Sequence, residues 1–216
     1  MVWIVVLGGT GYAGSGIVAE GARRGHAVTA VSRTLPAARD RAVGVDYVNG
    51  NVTDPAFLAE VLSGTEVVVS SLSPRGELDG RIGDINQDVA TLARRQGARL
   101  IVIGGFSSLR PAAGEPNAID GGRVPDAYRS EAIQMNDVLR DLQGQPAGQD
   151  WLFVSPASQF GAHLPGESLG RYRIGGEVAL FDEQGRSAIS GPDFARAVLD
   201  EIDHPHRHHG HISVAY

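Results

Sequence analysis

Gly8, Gly11 and Gly14 recur at an even three-residue spacing directly after the apolar run Val2–Leu7. Such a pattern carries weight only with a strand before it and a helix after it. Both are predicted here. Val2–Leu7 is continuous and rich in β-branched residues, and Ser15 to Arg24 reads as a helix that stops at Gly25. In that setting Gly8 permits a tight turn, Gly11 lets backbone approach a pyrophosphate, and Gly14 lets the helix pack close on the strand. The helix N-terminus then turns free N–H groups and its positive dipole end toward phosphate oxygens. Thr10, Tyr12 and Ala13 complete the loop and are expected to line the same phosphates.

A second group of residues bears on which dinucleotide is bound. The predicted second strand, Ala27–Val31, ends in Val31-Ser32-Arg33-Thr34. An acid at this place would hold a ribose 2′-OH, and none is present. A guanidinium can instead grip a 2′-phosphate through paired charge-assisted bonds, with the Ser32 and Thr34 hydroxyls beside it. The residues therefore predict NADPH, with NADH less favoured. Arg39 and Arg41 are read as members of an exposed face.

The elements that must position these residues follow from patterning. The chain has 216 residues, 42% hydrophobic and 20% charged, with a net charge of −6, which predicts one domain, 1–216, around one sizeable core. The acidic balance argues against a nucleic-acid partner. Cysteine is absent, which excludes disulfides, thiolate nucleophiles and cysteine-ligated zinc. Val2–Leu7 is too short for a signal core and no run is long enough for a membrane span, so the expected setting is cytoplasmic, with no membrane partner. Further strands are expected at Val45–Val48, Glu66–Ser70, Leu100–Ile103, Trp151–Val154 and Ile212–Ala215. Helices are expected at Pro55 to Leu62 (N-capped by Asp54), Ile82 to Gln96, Asp126 to Leu142, and Phe194–Ile202 (capped by Asp193). Tyr172–Ser190 reads as irregular with small strands. Alternation of this kind predicts an α/β, doubly wound, mostly parallel sheet, a Rossmann fold. The substrate region is expected in loops 104–127 and 156–190.

The glycine loop, Ser32-Arg33, the turn Gly50-Asn51-Val52-Thr53-Asp54, and Ile103-Gly104-Gly105-Phe106-Ser107-Ser108-Leu109 together carry a resemblance, extended by Ser155-Pro156-Ala157 and Ser213-Val214-Ala215-Tyr216. Over essentially its whole length the chain resembles the atypical short-chain dehydrogenase/reductases, in particular the NAD(P)H-flavin reductases akin to biliverdin reductase B. The resemblance implies that Asn51 and Val52 flank the adenine and that Ser70, Ser71 and Leu72 line the ribose near the nicotinamide. It also implies that Ser107 and Ser108 sit by the nicotinamide ring, and that Pro156 and Ala157 pass the carboxamide. Asn51 departs from the acid frequent in that family at this turn, exchanging a charge for an added donor.

The usual short-chain dehydrogenase pairs a tyrosine with a lysine one helical turn later, and the lysine tunes the phenol as a general acid. This chain has no lysine, and Ala132 stands where the partner of Tyr128 would be. Alcohol–ketone interconversion and sugar epimerisation are therefore disfavoured. A flavin or similar conjugated small molecule fits better, because its ring delocalises the charge of an accepted hydride. Ser107 and Ser108 are the catalytic candidates, as hydrogen-bond donors to the nicotinamide or the acceptor. His163 lies in the loop after the sixth strand and reads as solvated. Phe106, Phe160 and Tyr172 are candidates for an aromatic wall, and Gly161–Arg173 has the composition of a flexible lid. The histidines from His204 to His211 read as a solvated loop between helix and last strand, with no metal site. The expected function is an NADPH-dependent reductase acting on a flavin-like acceptor. The rival is an NADP(H)-sensing regulator without catalysis.

Overall fold

The computed structural model describes residues 1–146 and 148–216. Its strands are β1 (Trp3–Leu7), β2 (Ala27–Ser32), β3 (Val45–Asn49), β4 (Val67–Ser70), β5 (Arg99–Ile103), β6 (Trp151–Pro156), β7 (Arg173–Ile174) and β8 (His209–Ala215). Its helices are α1 (Tyr12–Arg23), α2 (Pro55–Val61), α3 (Ile82–Gln96), α4 (Asp126–Gln143) and α5 (Gly191–Asp203). The strands form one sheet in the order β3-β2-β1-β4-β5-β6-β8-β7. Neighbours run parallel except β7 against β8. The chain is a single-domain α/β protein of the doubly wound kind, with order reversing between β1 and β4.

Period-two alternation divides each strand between two cores. Ile4 and Val6 of β1 face the layer containing Ile17 and Val18 of α1 and Phe194 and Val198 of α5. Val5 and Leu7 face the layer containing Leu58 of α2, Ile85 and Val89 of α3, and Val138 and Leu139 of α4. Burial on both faces explains why the central strands read as unbroken apolar runs. Among the described residues, no helix is long and apolar enough to cross a membrane.

Several boundaries differ from the sequence expectation for local reasons. Helix α1 begins at Tyr12, not Ser15, because the glycine loop turns directly into it. Helix α5 begins at Gly191, and its N-cap is Ser190, not Asp193: the Ser190 hydroxyl accepts from the Asp193 amide. Asp193 is wholly buried in the first turn. Its carboxylate accepts from the Ser168 hydroxyl at 3.0 Å, the Leu169 amide at 2.7 Å and the Tyr216 phenol at 2.7 Å. Those bonds keep its pKa below the ordinary carboxylate value despite burial. They also pin the 161–173 segment, which composition alone reads as a flexible lid.

The histidine run is also reorganised. β8 starts at His209, so His209 and His211 lie inside the last strand. His206 and His208 are exposed but pair with Glu201 at 2.8 Å and Asp150 at 3.2 Å. Among the described residues, no three His, Cys, Asp or Glu side chains are grouped to hold a metal ion. His211 is buried against the edge of Phe153, and its Nε2 lies 2.9 Å from the Ser155 hydroxyl. Burial, reinforced by the Arg110 guanidinium, pushes its pKa down to about 4.

A prediction follows from that depressed value. In the unfolded chain His211 protonates near pH 6.5, whereas the folded protein resists protonation until about pH 4. The stability that neutral His211 confers is present above pH 6.5 and is lost progressively as pH falls toward 4, by about 3 kcal/mol at the limit. Urea unfolding between pH 7 and 4.5 is expected to show this slope, and His211→Gln is expected to flatten it. A slope equal in both proteins contradicts the assignment.

Candidate functional site

Every loop predicted to contact the dinucleotide lies at the C-terminal ends of parallel strands. The turn from β1 into α1 is built around the Gly8 carbonyl. Gly8 has φ +77°, a left-handed conformation that glycine accommodates without strain. Its oxygen accepts from the Gly11 amide at 3.0 Å. A Cβ on Gly14 would overlap that same oxygen, so α1 packs on the turn as closely as backbone allows. Gly11 is different. Its φ is −73°, and a Cβ there would meet nothing nearer than the Gly8 oxygen at 3.4 Å. Neither backbone conformation nor packing requires glycine at this exposed position.

The amides of Tyr12, Ala13 and Gly14 bond no acceptor among the described residues, and the first turn of α1 carries no acid. These donors open onto the bare backbone of Gly11. A chain that needs no side chain at Gly11, beside uncapped amides, fits a pyrophosphate. The Tyr12 ring turns away from the loop. It packs edge-on against Phe160 with ring centroids 5.1 Å apart, and its hydroxyl donates to the Pro165 carbonyl at 3.2 Å.

At the end of β2 the Ser32 hydroxyl sits 2.7 Å from the Thr10 hydroxyl, joining the two loops. Arg33 is half-exposed, and its Nη1 lies 3.0 Å from Oε2 of Glu77. That acid follows β4 and escaped the sequence reading, which sought one only at the end of β2. After β3, Asn51 is exposed and its Oδ1 accepts from the Thr53 amide at 3.1 Å, while Val52 is buried in the core with Leu58. Ser70 is also buried, and its hydroxyl donates to Oδ1 of Asn86 at 2.8 Å. Leu72 joins the same core. The Ser71 carbonyl packs so close to Gly8 that a side chain on Gly8 would overlap it. The structure thus brings these residues to one edge of the sheet but directs the side chains of Val52, Ser70 and Leu72 inward.

The loop after β5 is held from below. The Phe153 ring occupies the space a Cβ on Gly104 would need. The Gly105 oxygen accepts from the Ser155 hydroxyl at 2.8 Å, and Ser155 in turn meets His211. Gly105 is open on its free side. Ser107 and Ser108 follow in a single 3-10 turn. Ser107 is half-buried. The Ser108 hydroxyl is buried and bonds no partner among the described residues. Pro156 ends β6 and pairs with Val214, and Ala157 is buried beyond it. The pairing of Ser155 with His211 has no local signal in the sequence, because the two lie 56 residues apart.

Of the aromatic candidates, Phe160 packs on Phe194, and the Tyr172 hydroxyl bonds Asp200, with burial and that carboxylate raising its pKa. Phe106 meets the edge of Phe181 at 6.3 Å. A cavity of about 370 Å³ lies beside Phe181, lined also by Arg171, Tyr172, Arg173 and Tyr216. Its lining comes from the 171–183 segment and Tyr216, and none of it belongs to the glycine loop. His163 is exposed, as is Tyr128 on α4, while Ala132 is buried below it.

The sheet order and the loop define a dinucleotide-binding Rossmann domain. The chain belongs to the NAD(P)H-binding family, whose profile matches residues 8–205. A Burkholderia pseudomallei protein provisionally described as exported is similar to it at 36% identity, with 100% of each chain covered and a TM-score of 0.85. A Bacteroides thetaiotaomicron protein, provisionally named an epimerase, shares 28% identity over 100% of this chain and 98% of its own, with a TM-score of 0.88. A Streptococcus pneumoniae TIGR4 protein, provisionally named an NADH-flavin reductase, shares 26% identity over 100% and 99%, with a TM-score of 0.83.

Gly11→Val separates binding from folding. Because the position is open and extended, the variant is expected to unfold within about 1 kcal/mol of the parent. It is expected to lose dinucleotide binding, since the side chain fills the space of the pyrophosphate. Fluorescence titration alongside urea unfolding measures both. A folded variant that still binds would reduce the loop to a turn.

Proposed function

We propose that this protein is an NADPH-dependent oxidoreductase that reduces a flavin or a similar conjugated small molecule. The observation that carries the reading is an open, uncapped glycine loop joined to Ser32-Arg33 in a chain that contains no lysine. When bound, reduced nicotinamide supplies a hydride. The residues of the chain bind and orient. Gly11 and the α1 amides receive the pyrophosphate, Ser32 and Arg33 receive the 2′-phosphate, and the loop from Gly105 to Ser108 borders the reacting ring. The polar groups of that loop are the half-buried Ser107 and Ser108, whose buried hydroxyl bonds no partner among the described residues.

The two activity names among the similar structures imply different demands. An epimerase or ketone reductase needs a proton donor or acceptor at the reacting carbon, ordinarily a tuned phenol. Tyr128 is 60% exposed, and Ala132, not a lysine, stands one turn on. A conjugated ring takes a hydride without simultaneous protonation by a side chain. The absence of that acid therefore favours the reductase. NADPH oxidation with a panel of flavins and quinones tests the reading. Binding without oxidation of any acceptor leaves a dinucleotide sensor instead.

Two variants sharpen it. Arg33→Ala is expected to weaken NADPH by about tenfold to a hundredfold, the worth of a charge-assisted bond, and to leave NADH nearly unchanged. Equal losses in calorimetric titrations would remove the 2′-phosphate role. Tyr128→Phe is expected to slow flavin reduction by no more than a few fold in single-turnover NADPH oxidation at saturating flavin. A loss of about a hundredfold or more at unchanged cofactor affinity would reinstate a tyrosine acid.

A further inference from the structure

Arg33 and Glu77 reach each other from opposite sides of β1. In the sheet β2 and β4 are the two neighbours of β1. Arg33 follows β2, and Glu77 belongs to the segment after β4. Their contact, Nη1 to Oε2 at 3.0 Å, therefore crosses the C-terminal end of β1, where the glycine loop begins. Strand order reverses at this place, which makes it the crevice where open α/β sheets seat their ligands.

Both ends of the bridge are anchored. The backbone of Arg33 is held by the Asn49 amide, which donates to its carbonyl at 2.7 Å, and by the Gly50 amide on the Ser32 carbonyl at 3.1 Å. On the other side, Arg75 pairs with Glu131 of α4 at 3.0 Å. Gln134 of α4 donates to Asp79 and accepts from the Gly80 amide, both at 2.7 Å. Leu78 is buried between these ties. Glu77 is thus presented toward Arg33 by a segment fastened on either flank.

We propose that Glu77 is a specificity-determining residue that competes with the 2′-phosphate of the cofactor for the Arg33 guanidinium. The inference rests on the assignment of that guanidinium to the 2′-phosphate. A carboxylate and a phosphate seek the same planar donors, and they repel when brought to one site. A 2′-phosphorylated nucleotide must take Arg33 away from Glu77. A nucleotide with a bare 2′-OH leaves the pair intact. Glu77 therefore lowers affinity for 2′-phosphorylated nucleotides alone. Its position differs from that of the ribose-binding acid of NAD-type domains, because it comes from beyond β4 and is already engaged by a cation.

The test uses 2′,5′-ADP and 5′-AMP, which lack nicotinamide, so that affinity is read without catalysis. Calorimetry compares the parent protein, Glu77→Gln, Arg33→Ala and the double variant. Glu77→Gln is expected to tighten 2′,5′-ADP by about threefold to tenfold and to change 5′-AMP by less than about twofold. The gain should vanish in the Arg33→Ala background, because the acid acts through the guanidinium. It should also shrink in high salt, since both groups are exposed. Unchanged 2′,5′-ADP affinity in Glu77→Gln overturns the proposal, as does an equal gain with and without Arg33. Weakened 5′-AMP binding overturns it too, by making Glu77 a ribose acceptor. An Arg33→Ala protein that keeps the parent's preference for 2′,5′-ADP removes the NADPH reading itself, an outcome separate from any result with Glu77.

Discussion

The Gly8 carbonyl oxygen occupies the space that a side chain on Gly14 would fill. Much of the site depends on this exclusion. It sets the distance between the end of β1 and the first turn of α1, and so decides where the free amides of that turn are held. The same oxygen accepts from the Gly11 amide, which closes the loop without help from a side chain. On the far side, the Ser71 carbonyl packs against the place where a Gly8 side chain would be. Three backbone segments thus meet at one atom group, and the binding edge is built from backbone before any functional side chain is added. That arrangement leaves Gly11 as the glycine of the three whose bareness serves no internal packing.

The outer parts of the site depend on longer-range ties. Ser155 reaches from β6 to hold the Gly105 carbonyl, with His211 behind it on β8. Asp193 gathers Ser168, Leu169 and Tyr216 around the start of α5. Arg24 at the end of α1 meets Asp200 and Asp203 of α5 at 2.7 and 2.8 Å, which clamps the two helices on one face of the sheet. Each tie satisfies a polar group that is buried or partly buried, and such groups are costly to leave unpaired. The loop after β5 and the 168–169 segment are therefore fastened to the same core that carries the glycine loop.

The architecture was legible in the sequence because both-face burial writes continuous apolar runs, and glycine or an N-cap marks where each run stops. β1, β4 and β5 were found within a residue, and Asp54 caps α2 as expected. Errors arose where local pattern and tertiary demand diverge. Asp193 looks like a cap by type, yet the hydroxyl three residues earlier does that work and frees the carboxylate for the 168–169 segment. His209 and His211 look solvated by composition; parallel pairing with β6 draws both into the last strand, where His209 stays exposed and His211 is buried. The glycine loop was readable because its chemistry is contiguous. Glu77 was not, because only the sheet order brings it to Arg33.

The position of β8 has a consequence for how the chain is made. β8 lies between β6 and β7, yet it comes last of the eight strands along the chain. Until β8 pairs with it, β6 presents a bare edge made of Trp151 to Pro156, which the folded sheet buries. Ser155 also lacks its histidine at that stage. The nascent chain therefore passes through an interval in which one interior strand edge is open to other chains, the condition that favours aggregation and chaperone capture. The interval ends only when residues 209–215 emerge and pair with it.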